Sequence, residues 1–376
     1  MRRICIVGLI LLPIILFMNG CWDFQRLRDR TVILGIAVDN QDEGYKMAVE
    51  IVQFANGGGS EQTKVGKSKT LITTYPKKSI EIPLHDLQTR ISGSPFYANL
   101  HILAIGKEQA KMGIAEIISH FIRDPDMRRS TQVVIADDEA IELLGIKSQQ
   151  ESFTSFYLEK LAGKTEKTGK TITSDIGDIS RVIHEKSVTL IPLITPSSGK
   201  DEAKVVGTAV MDKGKMVDQL SKEETKAVAY VKKPVVETGS LRMDCPQTGK
   251  GSVSMDIIKT KASLEPKVKE NRLMIQGKSR VIGYLSEYNC SDGKVQGRTS
   301  LERLEEKFSQ ELNEEVNAHL TTILHRTGAD VLDLQNKLKK KPKEWKKIEK
   351  RFSELLRNAE VDINVSVELK SKGTGS

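Results

Sequence analysis

The chain has 376 residues, 38% hydrophobic and 29% charged, which excludes wholesale disorder and leaves room for two or three cored domains. Its formal net charge of +8 falls to +6 when Arg2 and Arg3 of the first segment are set aside. That balance suits an anionic membrane surface or polymer, but basic and acidic residues are interspersed through most of the chain, so no nucleic-acid partner is expected.

The chain opens on MRRICIVGLILLPIILFMNGC. Arg2 and Arg3 give a positive start, Ile4 to Met18 is apolar apart from Gly8 and Pro13, and Asn19-Gly20 leads into Cys21. Basic, then apolar, then small is the layout of a secretory signal, here residues 1–20. An apolar run of about 15 residues spans roughly 22 Å as a helix, less than the roughly 30 Å of a bilayer core. The thiol at the cleavage position resembles the acceptor of a lipoprotein signal. Cys21 is therefore expected to carry membrane lipid (diacylglycerol and palmitate) and to become the mature N-terminus. Gly20 fits such a junction, while Met18 and Asn19 stand where these signals more often have Leu and a small residue. The alternative is an uncleaved membrane anchor with an incidental cysteine. Cys5 leaves with the signal, so Cys245 and Cys290 remain. Export permits a disulfide between them, with two free thiols as the alternative.

Residues 21–196 read as an α/β domain, open to subdivision. TVILGIAVD and YKMAVEIVQF alternate with turn residues as a β-hairpin. Asn56 to Ser60 (NGGGS) opens a polar loop reaching about Lys69, and LITTYP is a further strand candidate. Ile80, Leu84, Leu87 and Ile91 recur at helical spacing. HILAIG predicts a buried strand, KEQAKMGIAEIISHFI one amphipathic helix, and QVVIAD a second strand, with Asp137 or Asp138 capping the helix EAIELLG. Helices are expected near 153–161 and 176–184, and VTLIPLITP as a strand. The polar stretch 197–203 (SSGKDEA) is the expected linker.

Residues 204–376 read as an α+β domain. VVGTAVMDKGKMVDQL predicts strand, turn, strand, and Ser221 with Glu224 a capping box. Several β-rich runs follow as far as Tyr288. Leu301, Leu304, Phe308, Leu312, Val316, Leu320 and Ile323 form one helical stripe, ended by Gly328. Trp345, Ile348, Phe352 and Leu355 mark another helix. Residues 361–369 alternate apolar and polar, as a half-buried strand does. The predicted fold class is mixed α+β and multi-domain: an N-terminal mixed sheet with helices, then long helices on an antiparallel-rich sheet.

Motifs for chemistry are sparse. Gly66-Lys67-Ser68 and Gly169-Lys170-Thr171 lack the upstream glycine of a phosphate loop, since Glu61 and Lys164 stand there. The six histidines are scattered, and neither a zinc motif nor a Gly-x-Ser-x-Gly elbow occurs. Asp137-Asp138 and Asp124/Asp126 read as caps and turn formers. No catalytic residue, metal or cofactor is expected. Lys337, Lys339, Lys340, Lys341, Lys343, Lys346 and Lys347 crowd around Pro342, either as a solvated turn or as a contact for membrane or partner.

Four blocks resemble the Ger(x)C germinant-receptor lipoproteins of endospore-forming bacteria. They are GCWDFQRLRDRTVILGIAVD, the run from HILAIGKEQAKMG to DDEAIELL, HRTGADVLDLQ, and KPKEWKKIEKRF followed by VDINVSVELKSKG. The resemblance implies a non-enzymatic lipoprotein in the outer leaflet of the spore inner membrane. It would act beside integral membrane A- and B-type subunits of a nutrient receptor. A lipid-anchored solute-binding protein serving a transporter and an exported hydrolase are the competing readings. The first would show a deep cleft with convergent polar groups, the second a nucleophile or metal beside a base.

Overall fold

The computed structural model describes residues 29–42, 44–53, 67–75, 79–199, 201–232, 239–246, 249–291 and 297–370. The signal, Cys21 and residues 56–66 of the expected loop lie outside them.

The first sheet grows from a hairpin of β1 (Arg30–Gln41) and β2 (Gly44–Gln53), extended by β3 (Lys67–Tyr75). After α1 (Glu81–Gln88) and β4 (Ser94–Phe96), β5 (Ile102–Gly106) returns parallel to β1. Next come α2 (Lys107–Met112), α3 (Ala115–Arg123), β6 (Gln132–Ala136), α4 (Ala140–Leu144), α5 (Thr154–Lys167), β7 (Ser174–Asp175), α6 (Ile176–His184) and β8 (Val188–Pro196). β9 (Ala203–Asp212) and β10 (Lys215–Leu220) complete a ten-stranded sheet ordered β10-β9-β8-β6-β5-β1-β2-β3, with β4 on β1 and β7 on β6. Strands β1, β5, β6 and β8 are parallel and have helices on both faces, so they are continuously apolar rather than alternating. Ile117, Ile118, Phe121, Ile176 and Ile179 cover one face; Leu143, Leu144, Tyr157 and Leu158 cover the other.

Two local expectations change. The run 107–122 is two helices, because Gly113 turns to φ +133 and the Ile114 N–H donates to the Gly214 carbonyl at 2.8 Å. The break docks the chain on the β9–β10 turn. The polar stretch 197–203 connects β8 to its antiparallel neighbour β9, so the first sheet runs across it.

Beyond Leu220, α7 (Lys222–Lys232) begins with the expected capping box: the Glu224 N–H donates to Ser221 Oγ at 3.1 Å, and the Ser221 N–H to Glu224 Oε2 at 2.9 Å. The second sheet is β11 (Ser240–Asp244), β12 (Gly251–Lys269), β13 (Arg272–Cys290) and β14 (Glu360–Lys370), in that order. Its first three strands are antiparallel and β14 is parallel to β13. The single long helix α8 (Gly297–Thr327) packs Leu304, Phe308, Leu312, Val316, Leu320 and Ile323 against Ile363, Val365, Val367 and Leu369. Gly328 ends it at φ +61. The Trp345 helix is instead α9 (Leu334–Leu338), α10 (Pro342–Ile348), one 3-10 turn and α11 (Phe352–Arg357).

A polar ladder closes the free edge of β14. Glu305, Ser309, Asn313 and Asn317 recur every four residues on α8. Their side-chain oxygens accept the N–H groups of Leu369, Val367, Val365 and Ile363 at 2.7, 2.8, 2.9 and 2.9 Å. The helix therefore blocks strand addition at that edge. The core behind it continues through Val228 and Tyr230 of α7 to Leu190, Val210 and Leu220 of the first sheet, so the two sheets share apolar packing.

Candidate functional site

Ionisable groups that attract attention inside the molecule are committed to its architecture. Asp39, at the end of β1, accepts the Ala140 and Ile141 N–H groups at 2.7 and 2.9 Å and so caps α4. Burial raises its pKa to about 6, against the opposing pull of those two backbone bonds. This corrects the expectation for Asp137 and Asp138: Asp137 pairs with Lys107 at 2.7 Å, and the cap comes from a strand 101 residues away. Glu50 of β2 serves α5 in the same way, accepting the Thr154 and Ser155 N–H groups at 2.8 Å each and the Ser155 hydroxyl. Asp330 accepts the Leu334 and Gln335 N–H groups at 2.8 and 2.7 Å, and its pKa is also raised by burial.

Glycines make room for these caps. A Cβ on Gly35 would lie 2.1 Å from Ser155 Oγ, and one on Gly106 would lie 2.1 Å from Asp39 Oδ1. The TVILGIAVD strand thus carries both a cap (Asp39) and the clearance (Gly35) for a second one.

The remaining candidates are also structural. His101 Nδ1 lies 2.7 Å from Glu159 and its ring stands edge-on to Phe156. Thr171 of the false phosphate loop is buried against the Gly207 carbonyl. Asp124 accepts the Asp126 N–H at 2.9 Å, forming a turn. Among the described residues, no group of three or more His, Cys, Asp or Glu could hold a metal. Cys245 and Cys290 are joined in a disulfide with Cα atoms 5.7 Å apart, tying the end of β11 to that of β13.

The surface carries the uncommitted charge. A groove of about 300 Å³ separates the start of β8 from α9–α11, with Lys186, Lys213, Lys339 and Lys350 among its lining residues. Lys339 also lies 5.9 Å from the Trp345 ring centre. Lys341 reaches Glu344 at 3.8 Å, whereas Lys340 and Lys343 are exposed beside Pro342. Lys337 does not belong to the free cluster, because its ammonium donates to the Leu264 carbonyl at 2.9 Å. Glu305, on the polar side of α8, is likewise taken by the β14 ladder. A second basic surface was not evident from the sequence. Lys261, Lys278 and Arg280 meet across β12 and β13 beside Asn364 and Ser366 of β14, around an open hollow of about 420 Å³.

This fold, a mixed ten-stranded sheet joined to a helix-backed four-stranded sheet, is similar to that of the crystal structure of the GerBC protein. The match has a TM-score of 0.60 at 18% identity and covers 90% of this chain and 97% of that one. The fold class is therefore mixed α+β, built on two sheets. Two family models identify the chain more closely: "Spore germination protein N-terminal domain" matches residues 23–196, and "Spore germination B3/GerAC like, C-terminal" matches residues 206–373. The chain belongs to this Ger(x)C family of germinant-receptor C subunits. Spore germination protein B3 of Bacillus subtilis (strain 168) is 24% identical, covering 96% of both chains. Spore germination protein KC of the same organism is 22% identical over 99% of this chain and 97% of its own.

Proposed function

We propose that this protein is a lipid-anchored subunit of a nutrient germinant receptor. In this reading it is held to the membrane through Cys21 and acts by contact with integral A- and B-type subunits rather than by catalysis. The observation that carries this reading is the pair of family matches across 23–196 and 206–373, almost the whole chain after the signal. The surface supports it: Lys340 and Lys343 are exposed to acidic partner loops, while buried carboxylates serve as helix caps. Among the described residues no helix is long and apolar enough to cross a membrane; in this reading the Cys21 lipid provides the attachment. The hollow at Lys261 is an open surface depression and not the deep cleft that a solute carrier would show.

The test is a Cys21→Ala substitution at the native locus. Mass analysis of the wild-type mature N-terminus should find a lipid-bearing cysteine, and the variant should lose membrane attachment and nutrient response. An unmodified Cys21 in mature protein would remove the anchor from the account.

A further inference from the structure

The parallel strands give the first sheet an amino edge. Arg30 begins β1 there, and the turns leading into β6 and β8 lie on the same side, because β1, β5, β6 and β8 run parallel. Arg30 Nη1 lies 3.6 Å from Asp126 Oδ2, which places the turn 124–131 beside the point where the tether leaves the fold. That turn presents Arg128 and Arg129, both exposed and, among the described residues, without a carboxylate at ion-pair distance. In the turn before β8, three strand spacings or about 14 Å from β1, Lys186 is exposed and likewise unpaired. It lines the same groove as Lys339.

We infer that this amino edge lies against the membrane, with Arg128, Arg129 and Lys186 on anionic lipid headgroups. The inference rests on the proposed Cys21 anchor. Eight residue steps separate Cys21 from Asp29, so the lipid-bearing residue lies within about 28 Å of the described chain. A tether that short, leaving from the amino edge, brings that edge to the bilayer sooner than any other surface. The unpaired cations beside it meet the negative surface potential within a few Debye lengths at most. In this orientation the exposed face of the second sheet, with Lys261, Lys278 and Arg280, is not the membrane-contacting surface.

The experiment uses the mature chain with Cys21→Ser, so that binding does not depend on the lipid, and vesicles with or without phosphatidylglycerol. The chain should bind the anionic vesicles at low salt and release as salt rises. Arg128→Glu/Arg129→Glu/Lys186→Glu should weaken this by at least about 100-fold, at about fivefold per cation removed. Lys261→Glu/Lys278→Glu should leave binding within about twofold. Thermal unfolding and disulfide mapping confirm that each variant is folded. The inference is overturned if the chain ignores anionic vesicles at low salt, if the amino-edge variant binds as well as wild type, or if the second-sheet variant is the one that fails. Loss of the anchor reading shows separately, as an unlipidated Cys21 in mature protein.

Discussion

Asp39 offers a quantitative test of the buried-cap reading. It is 4% exposed and its carboxylate holds the first turn of α4. Its pKa rises from the ordinary 3.8 to about 6, chiefly because burial disfavours the charged form. A carboxyl whose pKa is higher in the folded than in the unfolded chain favours folding most while both are protonated. The advantage is lost as pH rises through the folded value. At 1.36 kcal/mol per pH unit, the interval from 3.8 to about 6 corresponds to about 3 kcal/mol, most of it lost between about pH 4 and pH 7. Asp39→Asn keeps the shape and removes the charge. Its geometric offset, from an amide placed where a second acceptor is needed, does not vary with pH and cancels in a difference. Urea unfolding of both proteins from pH 4 to 7 should show Asp39→Asn gaining about 2 kcal/mol relative to wild type, the part of the full effect that falls in that window. A difference that stays flat to within about 0.5 kcal/mol would refute the desolvated-cap argument.

Four other perturbations separate structure from surface. Asn317→Ala strips the Ile363 N–H of its acceptor and should cost about 1–3 kcal/mol by denaturant unfolding; no measurable loss would mean that the α8 ladder does not bind the β14 edge. Phe308→Ala or Leu304→Ala should cost about 2–5 kcal/mol, since both side chains are buried under the second sheet. Charge reversal of Lys339, Lys340, Lys341 and Lys343 should change stability by only about 0.5 kcal/mol, seen as an almost unchanged melting temperature, while weakening receptor assembly. Reducing the Cys245–Cys290 bond, which closes a 45-residue separation, should cost up to about 4 kcal/mol in the chain-entropy model. Non-reducing peptide mapping that recovers two free thiols would remove that contribution.

Periodic features were legible from the sequence because their physics is local. The Leu301–Ile323 stripe, the alternating strand at 361–369 and the Ser221–Glu224 capping box each follow from repeat length or a fixed offset. Features that depend on distant partners were not legible. Asp39 reads as the end of a strand, and nothing local reveals that it meets the start of α4. Glu305, Ser309, Asn313 and Asn317 read as the wet side of a helix until β14 is laid beside them. Gly113 sits inside a sound amphipathic pattern, and its break is explained by the β9–β10 turn that receives Ile114. At the candidate surface, the lysines around Pro342 were visible as a charge run. The basic group on the second sheet was hidden because Lys261 and Lys278 become neighbours only through the β12–β13 register.

The central claim is that this chain works as a receptor subunit through contacts made at the membrane. Its most direct test is purification of the native protein, under its own promoter, from detergent-solubilised spore inner membrane, with mass spectrometry of what accompanies it. The account predicts a lipid-bearing N-terminus and stoichiometric A- and B-type integral membrane subunits, lost when Lys339, Lys340, Lys341 and Lys343 are reversed to Glu in a folded protein. Recovery of the wild-type chain alone, or with a transporter in place of those subunits, would contradict it.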